Sequence, residues 1–157
     1  MRRKDREITD IDEVIDILNH TDVIRLAMNN GDFPYIVPVN FCYEVKPNNQ
    51  LIFYIHGAKV GTKVDLLRQN PLLSFELDTR HRLITSDEKA CKYSFAYASI
   101  IGNGCATFIE EPAAKIAAFQ MMMNKVAPSK SFTFSERDVK PVIVIKIEVQ
   151  AYTAKKH

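Results

Sequence analysis

At 157 residues and 17.9 kDa, the chain suits one domain with a buried core, since domains usually hold about 100–150 residues. Hydrophobic residues make up 46% and charged residues 25%, close to globular averages, which argues against disorder and against a fibrous repeat. A formal net charge of +2 is too small to predict a nucleic-acid or membrane-surface partner.

The basic runs Arg2-Arg3-Lys4 and Lys155-Lys156-His157 read as solvated termini. No stretch approaches the roughly 18 apolar residues of a membrane span, and the polar start lacks an apolar signal core. The expectation is a cytoplasmic protein with no membrane partner. Three widely spaced cysteines, Cys42, Cys91 and Cys105, fit neither a disulfide framework nor a metal site. They are expected as reduced thiols, mostly packed as small hydrophobes.

Along the chain, Asp10 can cap a first helix with Glu13 three residues on, and Ile11, Val14, Ile15 and Leu18 share one helical face. From Thr21 the pattern turns to short runs of β-formers: Val23–Met28, a turn at Asn30-Gly31, then 34–41 continuing through Tyr43. Residues 47–49 make a second turn. In the strand 51–56 that follows, Ile52, Tyr54 and His56 oppose Leu51, Phe53 and Ile55, so its two faces differ in character.

A short helix is predicted over 63–70, with Val64 and Leu67 inward and Pro71 as its stop. Strand resumes over 72–78, and the charged stretch 79–92 reads as a loop. A long strand is predicted over Ser94–Ile109, interrupted at Gly102 and Gly104, where glycine marks a bulge or a close backbone approach. Pro112 opens a helix to about Val126. Its Met121-Met122-Met123 run reads as core filling or interface rather than a ligand-facing patch. The β-branched strand 142–149 closes the pattern, with Lys146 and Glu148 opposite Ile145, Ile147 and Val149. Six or seven hairpin-linked strands with helices at the margins point to a mainly β, antiparallel sheet closing toward a barrel.

The most informative stretch for chemistry is 56–63 (HGAKVGTK), a glycine-containing turn between strand and helix. Glycines admit close approach of backbone amides to an anion, a helix N-terminus adds partial positive charge, and Thr62 and Lys63 supply a hydroxyl and an ammonium. Taken alone, the stretch suits a solvated turn better than a phosphate cradle. His56 likewise suits a satisfied histidine at the barrel rim better than a ligand contact. Pro38 forfeits a ladder hydrogen bond, so its strand is an edge or is bulged. A plain edge proline and an edge whose free backbone groups meet a flat heteroaromatic ring fit equally. Glu110-Glu111 favours the dipole at a helix start. No Ser-His-Asp order, Gly-x-Ser-x-Gly elbow, full dinucleotide fingerprint or metal-ligand cluster is present.

Residues 1–8 (MRRKDREI), 34–41 (PYIVPVNF), 53–56 (FYIH), 61–63 (GTK), Asn70-Pro71 and 97–104 (YASIIGNG) together resemble the pyridoxamine 5′-phosphate oxidase-like flavoproteins, and within them the branch of 5-nitroimidazole resistance proteins. No single motif is specific, but their order and spacing jointly are, over nearly the whole chain. The resemblance implies an FMN-binding split barrel that works as a homodimer, with FMN at the subunit interface. By position it implies that the backbone of Val37, Pro38, Val39 and Asn40 lies along the isoalloxazine ring. It implies further that His56 and Thr62 contact the cofactor, that Lys63 pairs with its phosphate, and that Tyr97 and Ser99 border the same site. The implied activity is an FMN-dependent oxidoreductase acting on a small acceptor, a nitroaromatic being one candidate. A flavin- or haem-binding store or sensor without turnover and a pyridoxamine 5′-phosphate oxidase proper are the alternatives. Ala154, where relatives commonly have glycine, and Ile55-His56, in place of a polar pair, set the chain apart from the oxidases proper.

Overall fold

Asp10 caps the first helix by accepting a hydrogen bond from the Asp12 backbone N–H at 3.0 Å, which satisfies a donor the helix cannot. Glu13, predicted to complete the cap, instead pairs with Lys156. The computed structural model describes residues 3–157. Met1 and Arg2, and with them part of the N-terminal basic run, lie outside the described residues. In chain order come β1 (Glu7–Ile8), α1 (Ile11–Asn19), β2 (Val23–Met28), β3 (Tyr35–Asn40), β4 (Cys42–Val45) and β5 (Leu51–Ala58). The second half holds α2 (Thr62–Gln69), β6 (Leu72–Ile84), β7 (Ser94–Ile109), α3 (Pro112–Val126), α4 (Glu136–Val139) and β8 (Val142–Lys156).

All eight strands form one sheet in the order β3-β2-β6-β7-β8-β5-β4, with β1 added to β8, and every pairing is antiparallel. The two ends of that path, β3 and β4, are joined through the single residue Phe41. A sheet whose end strands are consecutive in the chain has to curl until its ends meet, which gives the mainly β split barrel with flanking helices. Phe41 is buried at that corner, edge-to-face with Phe53 at 5.5 Å, and Phe53 in turn with Phe75 at 5.0 Å. The same corner breaks the strand predicted to run unbroken from 34 to 43.

Two further boundaries depart from the sequence pattern. β6 does not stop at 78. It bulges between Thr79 and Arg82, with Arg80 at φ 62°, and then pairs Leu83 with Phe95 and Ile84 with Ser94. The first part of the expected loop at 79–92, up to Ile84, is therefore one strand of an exposed two-stranded ribbon, because ladder bonds are made by the backbone and tolerate charged side chains facing water, while the rest of the stretch is loop as expected. β8 also continues past 149 to Lys156, pairing with β7 throughout. The β7 and α3 bounds agree with the sequence pattern.

The inner face of β5 sends Leu51, Phe53 and Ile55 into the main core with Phe75, Leu77 and Ile145. Its outer face would be exposed in an isolated barrel. Here α3 covers it, and Ile52 and Tyr54 pack with Ala118 and Met122 in a second cluster. The strand is consequently apolar on both faces as far as His56, where the helix cover thins and the site begins. No helix of the described residues is long and apolar enough to cross a membrane.

Candidate functional site

The end of β5 and the start of α2 position the first group of side chains. Gly61 stands at φ 129°, a conformation that L side chains rarely adopt, and it caps α2 without a side chain. Its carbonyl accepts from Val64 and Asp65, so the N–H groups of Thr62 and Lys63 make no such bond and α2 has no side-chain cap. Val64 and Leu67 bury one face of the helix, which fixes Lys63 on the turn above β5.

Lys63 is half-buried, and among the described residues its ammonium has neither an ion pair nor a hydrogen-bond partner. Burial holds its pKa below the usual lysine value. The head of the side chain lies over Gly57, close enough that a Cβ there would sit 3.2 Å from Nζ. A partly desolvated cation without a partner, beside free helix N–H groups and a glycine that leaves room, is the donor set a phosphate monoester requires.

His56 ends the outer face of β5. Its ring lies 5.2 Å from that of Phe119 on α3, and Phe119 lies 5.6 Å from Phe134. Burial, and then the charge of Lys63, push the imidazole pKa below its ordinary value, so at neutral pH the ring is uncharged. His56, Asn40, Phe119, Met122, Lys125 and Phe134 line a cleft of about 620 Å³. Lys125 stands over the Phe41 ring at 4.3 Å and donates to the Thr21 carbonyl. The cleft thus combines aromatic walls with a neutral histidine and few polar groups, which is how sites for flat organic rings are built.

β3 reaches this region only through its last residue, Asn40, and is an edge strand, paired only with β2. Pro38 stands opposite Arg25 and points outward, while Val37 and Val39 pack on the core. The missing amide of Pro38 therefore breaks no ladder on the free side. Asn40 reaches the cleft, and its amide donates to the Asp22 carbonyl at 3.0 Å.

Tyr97 and Ser99 are elsewhere. His56 pairs with Val144, which pairs with Ile109. Ser99 is ten residues before Ile109 on β7, roughly 30 Å along the strand. Tyr97 exchanges backbone hydrogen bonds with His157. A hydrogen bond from Arg6, and the nearby Lys155, lower its hydroxyl pKa. The chain accordingly brings together Asn40, His56, Thr62 and Lys63 and leaves Tyr97 and Ser99 at the opposite end of the barrel.

The family model for pyridoxamine 5′-phosphate oxidase matches residues 10–156. The chain belongs to that family. A candidate 5-nitroimidazole antibiotic resistance protein from Bacteroides thetaiotaomicron is similar to it over 96% of this chain and 86% of that one, at 26% identity and a TM-score of 0.81. The flavocytochrome Anf3 from Azotobacter vinelandii shares the fold, with a TM-score of 0.82, 16% identity and coverage of 100% of this chain and 72% of that one. So does the FAD and heme binding protein from Mycobacterium smegmatis, with a TM-score of 0.82, 13% identity and coverage of 96% and 73%. None of the curated proteins matches the chain by sequence.

Phe119 and Phe134 were not legible as site residues, because an α3 face that covers a strand looks like ordinary core; of the Met121-Met122-Met123 run, expected as core filling or interface, Met122 packs in the second cluster and Met122 and Met123 also line the cleft. The signal that was available is spacing: Lys115, Phe119 and Met122 recur on one side of the helix. Among the cysteines, Cys42 is buried and its thiol is pushed up to about 12, whereas Cys91 is exposed.

Proposed function

We propose that this member of the family is an FMN-binding flavoprotein that works as a cytoplasmic homodimer and reduces a small planar acceptor, a nitroaromatic being the leading candidate. The observation that carries the reading is the unpaired, half-buried ammonium of Lys63 over Gly57. An isolated chain gains nothing from placing a lysine there, and a phosphate monoester supplies the missing partner. Thr62 and the free N–H groups at the start of α2 would hold the same phosphate, and the edge backbone of Val37, Pro38, Val39 and Asn40 would lie along the ring.

The flavin supplies the electron chemistry when bound. The chain's own residues orient it and shape the acceptor's surroundings. Phe119, Phe134 and Met122 exclude water from one side of the cleft. His56, uncharged at neutral pH, offers a ring nitrogen to a polar group of the acceptor without presenting a competing charge. The dimer reading rests on the family resemblance, which assigns Tyr97 and Ser99 to the same site although they lie at the other end of this chain's barrel; a second protomer would bring them there.

The visible absorption spectrum of purified protein given FMN tests the reading: a flavin spectrum is expected, and protein that stays colourless overturns it. Lys63→Ala should weaken FMN binding about ten- to a hundredfold, the worth of a charge-assisted contact. The same substitution should leave the ligand-free protein as stable as before, or more so. Bound FMN that no nicotinamide donor or nitroaromatic acceptor can cycle would instead favour a store or sensor.

A further inference from the structure

A cluster of cations that does not include Lys63 gathers around Lys59, in the β5–α2 loop, and the starts of α3 and α4. Lys115, on the first turns of α3, is only 5% exposed. Its ammonium has a single carbonyl partner, Val142 at 3.3 Å, and the nearest carboxylate is that of the largely exposed Glu110 at 4.0 Å. It lines a cavity of about 510 Å³ that also presents Lys59, Arg137 and Lys140. Among the described residues, none of those three lies within 4.0 Å of a carboxylate. Glu110 and Glu136 are the carboxylates in the wall, so four cations face two anions.

A nearly fully buried ammonium is costly to hold without partners for its remaining N–H donors. Tying α3 to the start of β8 would need only the bond to Val142, and a methionine would fill the same volume. What the cluster lacks is a compact anion with several acceptor oxygens. We propose that this cavity is a second anion site that takes a phosphoryl group, with a lining that does not include Lys63. Two sources share this chemistry: free phosphate, and the 2′-phosphate of a nicotinamide donor. The second source rests on the oxidoreductase reading, whereas the site itself does not.

The experiment titrates inorganic phosphate, NADPH and NADH into the full-length protein and follows the thermal unfolding midpoint. The same titrations are made on the double variant Arg137→Ala/Lys140→Ala, both exposed positions, and on Lys63→Ala. Phosphate should stabilise the wild-type protein saturably. The double variant should bind it at least about tenfold more weakly, as expected for lost contacts to charged groups, and Lys63→Ala should bind it unchanged. NADPH binding tighter than NADH by a margin that the double variant abolishes identifies the donor as the source. Equal binding of the two nucleotides, with phosphate still stabilising, identifies the free ion.

Phosphate stabilisation that is the same in the double variant as in wild type overturns the proposal. So does stabilisation lost in Lys63→Ala alone, which would mean that phosphate reads the flavin cradle. Flavin uptake by the double variant keeps the two readings apart, because it should be unaffected: phosphate binding without any FMN binding would sink only the flavin reading. Lys115→Met is the second variant, expected to fold with its apolar stem buried and to lose phosphate binding as the double variant does.

Discussion

At the α2 end of the barrel, Lys63 holds a half-buried ammonium that nothing in its own chain answers. At the end where β7 begins, the cations are exposed and several meet local partners: Arg80 meets Asp16, Lys156 meets Glu13, and Arg6 meets the His157 ring. Those pairs are largely solvent-exposed and contribute little to stability individually. The contrast separates a half-buried charge without a partner from exposed charges on a solvated surface. Tyr97 and Ser99 form no pocket with the Lys63 cradle within the chain because the length of β7 separates them from it.

The contrast depends first on β7, the strand that spans from one end to the other. Its course bends where the register to β8 shifts between Asn103 and Gly104. A Cβ on Gly102 would sit 2.4 Å from the Ala151 carbonyl oxygen and 2.6 Å from Phe75, and the first of these is backbone that cannot swing aside. Gly102→Ala should therefore cost about 3 kcal/mol, read as a lower urea midpoint at unchanged slope. A variant of wild-type stability would mean that β7 and β8 are farther apart than described and that the separation of the two ends is not fixed by this crossing.

Smaller, and confined to the cradle, is the effect of Gly57→Val. Valine suits a strand, and the added Cβ would sit 3.2 Å from Lys63 Nζ, so the ammonium must shift. FMN affinity should fall about tenfold with little change in the unfolding midpoint. A loss of stability without a loss of affinity would place Lys63's partner elsewhere.

How much of this was legible beforehand differs between the two ends. The alternation of apolar residues from Ser94 to Ile109 and the Pro112 start of α3 carry local signals, and both elements have the expected bounds. The outer part of β6 carries none. Arg80, His81 and Arg82 face water on a ribbon, so hydrophobic periodicity is silent there and only backbone pairing defines the strand. α4 is four residues long, too short for any period to register. At the site, the glycines and lysine of 56–63 were visible as types. The fact that decides their meaning, an ammonium left without a partner, exists only once the fold has placed every carboxylate. The aromatic wall from Phe119 and Phe134 was hidden for the same reason, since it joins a helix to a loop fifteen residues later.

Tyr97→Phe addresses the opposite end and should do less. Within a protomer it removes one exposed hydroxyl far from Lys63, so the unfolding midpoint should not move. If a second protomer brings Tyr97 to the flavin, FMN affinity should drop about threefold, the lower range for one neutral hydrogen bond. The drop should be seen only at concentrations where the protein is dimeric. An effect as large as that of Lys63→Ala, persisting in the monomer, would break the distinction between the ends.

The smallest effect couples the cradle to the cleft through charge alone. His56 titrates below its ordinary value of 6.5, because burial and then Lys63 disfavour the imidazolium. As pH falls below 6.5 the unfolded chain takes up this proton before the folded one does, so stability from His56 is fully present above 6.5 and declines toward the folded pKa. His56→Gln should flatten that decline. Lys63→Ala should raise the His56 pKa, and so should any phosphate monoester bound at Lys63, because each removes or neutralises the same positive charge. Titration of the His56 ring protons by NMR, with and without FMN, reads both shifts. If His56 moves on Lys63→Ala but not on FMN binding, the cofactor's phosphate is not at Lys63. If it moves on neither, the two side chains are too far apart to form one site.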